Sequence, residues 1–433
     1  MSILLTRRKF IKLLGFLSLG LFNLALFEKL FKNTKPAIAS DRVINDKPND
    51  DQGISVIYEA KNGTPEQNVK KVIEMMGGIE TIIGKEDIVI LKPNAQWWNQ
   101  GMTNTNAMKG FIELVLAIPA FKGEVIIAEN HHHFGHRNTS NIRGWTTTMR
   151  NGDYNFNELV QYFQDKGHKN VTKYHWVDAG RFSMDKTNMD RLLRVIKEGA
   201  KTILGIHKGR IVNGPADGDG YVWSNIDFSF NERKTRMTYP IFTSQFSRVT
   251  IDFKNGAWQS GQYTGQPVKF INFPSLNHHS SLCGVTSAVK NYLGIVDISA
   301  REYDIMIEGY HNFHNIGFPA MGGAVGAFMN TIRRADLNIV TAEWVGFGSR
   351  TDPLLSKKIK TIIASVDPVA LDYYGAKYIL YPLGGPVAEL NNPDNNKGPF
   401  RQYLELCCSQ GIGSLDENKM TLMRYDFESA NNI

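Results

Sequence analysis

The side chains best equipped for chemistry fall in four short segments of the chain, each at or near the end of an apolar run. In the first, Ile88-Val89-Ile90-Leu91 stops at Lys92-Pro93-Asn94. Pro93 holds Lys92 extended, so an ammonium and the Asn94 amide would be presented at a strand's end. The polar run Thr103 to Asn106 then offers several helix caps and could frame an anion pocket. The plainer alternative is a solvated lysine at an ordinary strand end.

The second segment follows Val125 to Ala128 and places His131, His132, His133 and His136 within six positions. Imidazole suits zinc, nickel, copper or iron, so a transition metal is the cofactor class it would serve. Neighbouring side chains of an extended chain point to opposite faces. Only His131 with His133, or one of these with His136, could therefore reach the same ion, and further ligands would have to come from elsewhere. A polar structural loop is the competing reading.

The third segment runs from Phe270 through Pro274, carries His278 and His279, and leads into a stretch containing Thr286, Lys290 and Asn291. Read as a helix over Val285–Tyr292, it puts Thr286 and Lys290 on one face. An ammonium in so apolar a helix is costly unless paired, or unless it snorkels to water. In the fourth, Asp367 precedes Pro368, the pattern of an N-cap, and Asp372 interrupts the apolar stripe that follows. Asp372 could pair with Lys92 or Lys290 across the rim.

The elements that must position these groups alternate. Ile54–Tyr58, Asp87–Leu91, Glu124–Ala128, Val171–Trp176, Val268–Phe273, Leu337–Thr341 and Thr361–Ser365 read as strands. Thr64–Met76, Met108–Ile118, Glu158–Lys166, Asn188–Gly199, Gly322–Ala335, Val369–Leu380 and Phe400–Cys408 read as helices. This order predicts an α/β fold, a layered, mostly parallel sheet flanked by helices. Ligands of such sheets collect beyond the carboxyl ends of the strands. The aromatic and Gly-rich residues 181–266 read as an inserted subdomain covering one edge, and 382–433 as a C-terminal extension of a domain spanning 54–381. No repeat is visible.

Residues 1–39 carry Arg7-Arg8 before Phe10, then an apolar stretch from Leu13 to Phe27 and Ala37-Ile38-Ala39 before Ser40. They resemble a twin-arginine export signal, cleaved after Ala39, rather than a membrane anchor, because the apolar run is short. Residues 40–53 read as a flexible lead-in. The expected location is periplasmic or otherwise extracytoplasmic, the first partner is the twin-arginine export machinery, and no stable membrane span remains after cleavage. That segment holds seven basic residues against one acid, which leaves about +1 of the formal +7 for the remainder. A near-neutral body argues against a nucleic-acid partner. Three cysteines cannot build a self-contained iron–sulfur cluster or a disulfide framework, and no G-x-S-x-G hydrolase elbow occurs.

Taken together, Lys92-Pro93-Asn94, the P-x-L-x-H-H stretch at 274–279, GVTSAVKNYLG at 284–294 and ASVDPVALD at 364–372 resemble the domain-of-unknown-function family DUF362. The resemblance spans roughly 54–381. It implies an α/β domain with a shared polar site at Lys92, Asn94, His279, Thr286, Lys290, Asn291, Asp367 and Asp372. Asn277 stands where relatives often carry a lysine, and Thr341, with Glu343 nearby, where they often carry an aspartate. The ferredoxin-like segment of many relatives is missing. The expected function is an exported enzyme or enzyme-like binder of a small anionic ligand, with Lys92, His279, Lys290 and Asp372 in catalytic roles. Asn94, Thr286, Asn291 and Asp367 would bind the ligand, and the 131–136 histidines could add a metal. The alternative is a non-catalytic periplasmic binding or accessory protein for metal or cofactor handling.

Overall fold

A computed structural model describes residues 53–130, 143–176, 211–231, 233–296 and 316–430. The export-signal reading, nearly all of the lead-in, the helix expected at 188–199 and the candidate ligands His131, His133 and His136 lie outside these residues. Among the described residues no helix is long and apolar enough to cross a membrane.

The first strands, β1 (Ser55–Lys61), β2 (Ile88–Pro93), β3 (Glu124–Glu129) and β4 (Val171–His175), are separated by helices α1 (Pro65–Met75), α2 (Thr105–Leu116) and α3 (Phe156–Asp165). Each helix starts on a cap written in the sequence. Thr64 and Gln67 form a capping box before α1, Asn104 accepts from the Ala107 amide at α2, and Asn155 with Glu158 boxes α3. Later strands β10 (Val268–Phe273), β13 (Leu337–Gly346), β14 (Ser356–Ser365) and β15 (Met420–Asp426) join the same sheet. Its order is β15-β1-β14-β13-β10-β2-β3-β4, with β11 (Ser275–Ser280) paired to β13 and to β12 (Gly284–Thr286). Along the main path β14 alone runs antiparallel. The fold is thus the layered α/β architecture expected.

Both faces of the central strands are buried, which is why those strands read as unbroken apolar runs. Val89, Leu91, Val125 and Ile127 pack under α1, α2 and α3. Ile88, Ile90, Ile126 and Phe270 face the opposite layer. That layer contains α4 (Ala288–Asn291), α5 (Met321–Thr331), α6 (Pro368–Tyr374) and α7 (Pro399–Cys408). It also receives a second, antiparallel sheet, β5 (Gly220–Phe230), β6 (Arg233–Thr243), β7 (Thr250–Asp252), β8 (Gly256–Gln259) and β9 (Gln262–Tyr263). Residues 220–263 therefore form a sheet of their own, which packs on a face of the main sheet. Phe253 stacks edge-on against Trp176 at 5.7 Å and Phe270 at 5.0 Å between ring centres.

Glycine enables one close helix contact. A Cβ at Gly322 would overlap the Tyr403 carbonyl oxygen, and one at Gly326 would sit 2.8 Å from the Cys407 carbonyl oxygen. The two glycines on one face of α5 let α7 approach backbone to backbone, which outweighs their poor helix propensity. The extension after 381 is part of the main architecture as well, because β15 runs parallel to β1 at the sheet's edge.

One expected element differs. Residues 284–286 form a strand paired with β11, so the helix expected over 285–292 is reduced to α4 and a following 3₁₀ turn. Thr286 consequently lies on β12 and does not share a helix face with Lys290.

Candidate functional site

The carboxyl ends of the central strands carry a polar row on the face turned toward α4. Lys92 on β2 is in register with Asn272 on β10, Asn272 with Asn338 on β13, and Asn338 with Ser365 on β14. These four side chains are at most 1% exposed, so their polar groups must find partners inside the protein. Asn272 Nδ2 donates to Asn338 Oδ1 at 2.9 Å and to the Ala288 carbonyl at 2.9 Å. Asn338 Nδ2 donates to the Ser365 carbonyl at 3.1 Å, and Ser365 Oγ to the Val56 carbonyl at 2.7 Å. The row thus runs across five strands, with Asn272 bonded to the first residue of α4.

Asn291 closes the row from above. Its Nδ2 donates to Asn272 Oδ1 at 2.8 Å and to the Lys92 carbonyl at 3.1 Å, while its Oδ1 accepts from Lys92 Nζ at 3.1 Å. The remaining Lys92 bonds go to the Pro93 carbonyl at 3.0 Å and to Glu129, with which it forms a buried ion pair. Burial lifts the Glu129 carboxyl to about 7 and lowers the Lys92 ammonium, each opposed by the charge of the other. Gly294 makes room for the pair, since a Cβ there would overlap Glu129 Oε1 and lie 2.6 Å from Lys92 Nζ. The turn holding Gly294 is pinned in place by Asn130, whose amide donates to the Gly294 carbonyl at 3.1 Å and whose Nδ2 donates to the Val296 carbonyl at 2.8 Å.

Asp372 does not pair with either lysine. It is 1% exposed on α6, and its two oxygens accept the Ala288 and Val289 amides at 2.7 and 2.9 Å. It therefore caps α4 from another element and fixes the orientation of Lys290 and Asn291, although burial pushes its carboxyl up to about 7. Asp367 takes the capping role its position before Pro368 suggested, accepting from the Val369 and Ala370 amides at 2.8 and 2.9 Å. It also accepts from Ser55 Oγ at 2.6 Å and the Ser414 amide at 3.0 Å. These bonds occupy both of its oxygens with the protein's own donors.

The second cluster lies on the other side of α4. Lys290 follows a different direction from Asn291 because successive helical residues diverge. It is 6% exposed, and Phe318 stands 5.4 Å from its Nζ at the ring centre. Among the described residues no carboxylate forms an ion pair with Lys290 or with Arg350. Burial, aided by the Arg350 charge, lowers the Lys290 ammonium to about 8, with the Cys283 thiol pulling the other way. Arg350, on the loop between β13 and β14, lies against the Trp97 ring at 4.4 Å. Its Nη1 lies against both ring nitrogens of His279, 2.5 Å from Nδ1 and 3.0 Å from Nε2, and donates to the His279 carbonyl at 3.2 Å. A guanidinium can only donate, so whichever of the two ring nitrogens accepts from it is the unprotonated one.

Strand alternation separates the two loop histidines. His279 turns toward Arg350 and Phe318, whereas His278 Nδ1 meets Asn391 Oδ1 at 2.8 Å. Asn277 serves as a brace, donating to the Gln100 carbonyl at 2.8 Å and accepting from the Gly346 amide at 2.8 Å. Gln100 in turn donates to the Asp352 carbonyl at 2.8 Å. These bonds tie the loop of Trp97 to the loop of Arg350.

The expected constellation is therefore split. Lys92 and Asn291 belong to a satisfied network under α4, while His279 and Lys290 belong to the cationic cluster beside it. Asn94 is half-buried, and its backbone exchanges bonds with Thr103 at 2.7 and 3.0 Å. The anion pocket expected at the start of α2 is closed by Asn104 itself, which supplies the acceptor for that helix end. Sequence reasoning missed Glu129, Asn272, Gly294, Asn338 and Arg350. Among the described residues no group of three or more His, Cys, Asp or Glu is placed to hold a metal ion.

Comparison with curated proteins and with solved structures finds no match. A family model does match part of the chain, over a shorter stretch than 54–381, so Lys92-Pro93-Asn94 falls outside it. Residues 248–377, which include His279, Thr286, Lys290, Asn291, Arg350, Asp367 and Asp372, are similar to the family described as Domain of unknown function (DUF362).

Proposed function

We propose that the chain is an exported enzyme or enzyme-like binder of a small anion, carboxylate or phosphate, held between Lys290 and Arg350. The observation that carries this reading is a pair of neighbouring, largely enclosed cations to which the described residues offer no acidic partner. Proteins seldom leave such charges uncompensated, and a bound anion would supply the compensation. His279, in contact with Arg350, would exchange protons with the ligand, and Trp97 and Phe318 would wall the site from water. The Lys92 network supports α4 from below and takes no part in binding.

The test is calorimetric titration of the purified chain with inorganic phosphate and with succinate. Binding should weaken roughly tenfold or more in Arg350→Met and in Lys290→Met, the loss expected of a charge-assisted hydrogen bond. Equal affinities in wild type and both variants would refute the site. The twin-arginine pattern supports export, and replacing Arg7 and Arg8 with lysine should hold the chain in the cytoplasm. Export that continues unchanged would refute that part.

A further inference from the structure

We propose that Lys290 acts as a nucleophile, forming an imine with a small 2-oxo acid whose carboxylate is held by Arg350. The inference rests on the anion-binding reading above and names its substrate class. Its ground is the contrast between the two buried lysines flanking α4. Lys92 has a carboxylate, an amide oxygen and a carbonyl within bonding distance, the full provision of a structural lysine. Among the described residues Lys290 faces an aromatic ring and a neighbouring guanidinium, and neither can accept its protons as a conventional hydrogen bond. A buried amine beside a second cation is the environment in which lysine loses its proton readily and attacks carbonyl carbon. With the ammonium lowered to about 8, roughly a tenth of the amine is neutral at pH 7, against a trace for an ordinary lysine.

The surroundings also suit the later steps. Asp372 fixes the start of α4 through two backbone bonds, so the amine is held in place before a ligand arrives. His279 and Lys290 both border Phe318, and His279 presents an unprotonated ring nitrogen to Arg350. A carboxylate entering the site would draw Arg350 to itself and release that nitrogen. The Nζ lone pair then adds to the carbonyl carbon as the C=O π bond opens, and the first of the two amine protons passes through His279 to the oxygen, which becomes a hydroxyl. His279 then takes the second amine proton and gives it to the hydroxyl, which departs as water as the C=N bond forms. The balance is amine plus ketone giving imine plus water, with no oxidant or reductant.

The experiment treats the purified chain with pyruvate or 2-oxoglutarate and sodium cyanoborohydride, which reduces an imine to a stable secondary amine, followed by peptide mapping. Lactate, which has the carboxylate but no ketone, is titrated in parallel. Lys290 should be alkylated faster than exposed Lys85 or Lys357 by on the order of tenfold or more, given its larger neutral fraction. Lactate should slow that labelling. If lactate binds but Lys290 is labelled no faster than the exposed lysines, the imine is refuted and the anion site stands. If lactate does not bind and Lys290 is not labelled, both fall. The comparison among lysines of one wild-type protein requires no variant to fold.

Discussion

Replacing Lys290 with methionine should make the protein more stable while weakening the anion binding proposed above. The folded state lowers the ammonium from 10.5 to about 8, burial being the main cause. At about 1.4 kcal/mol for each tenfold change in proton affinity, the charged lysine costs the fold on the order of 3 kcal/mol. Methionine keeps much of the side-chain length, packs on Phe318 and carries no charge, so Lys290→Met should recover on the order of 1–3 kcal/mol at neutral pH. The pH dependence has a definite sign. Between the folded value near 8 and the unfolded value of 10.5 the unfolded chain binds more protons, so wild-type stability attributable to this group rises with pH. The gap between variant and wild type should be constant below about pH 8, shrink above it and vanish beyond about 10.5. Urea unfolding of both proteins across this range measures the gap directly, and the difference cancels other titrating groups. A variant that is destabilised, or a gap that ignores pH, would refute the claim that Lys290 is a buried cation without a counter-ion among the described residues.

Glu129→Gln leaves the Lys92 ammonium buried without its counter-ion and should cost about 3–5 kcal/mol in denaturant unfolding. The double variant Lys92→Met, Glu129→Leu should recover most of that loss, and failure to do so would mean the pair has a role beyond charge balance. Gly294→Ala should destabilise by more than about 1 kcal/mol because its methyl overlaps Glu129, whereas Gly214→Ala, with open space around it, should be nearly neutral. Asp372→Asn offers one acceptor where two backbone amides need two. It should lose about 1–2 kcal/mol of stability and weaken anion binding as α4 loosens, both read by thermal shift with and without succinate.

What could be read from the sequence was set by how local its cause is. The α1 cap is complete within Thr64 to Gln67, and the buried strands announce themselves as apolar runs. Helix α4 was misjudged because its cap, Asp372, lies 84 residues away, so nothing local marks where the strand ends and the helix begins. Lys92 is visible in the sequence, but its partner is Glu129 and not Asp372, the carboxylate that could have paired with it. The clue was that β2 and β3, neighbours in a parallel sheet, end in opposite charges, Leu91-Lys92 and Ala128-Glu129. Arg350 sits in a loop without periodicity, and only the braces through Asn277 and Gln100 bring it to His279. Strand β15 escaped notice because Leu422 and Met423 are 40% and 43% exposed, so its pattern is that of a surface segment.

The position of β1 bears on how the molecule is made. The earliest strand of the described chain lies between β14 and β15, two of the latest. During synthesis β1 can take neither of its two neighbours until the chain has been made through β14, nor its second until it has been made through β15. A chain interrupted before Met420 would leave one side of β1 as a naked border open to association with other polypeptides.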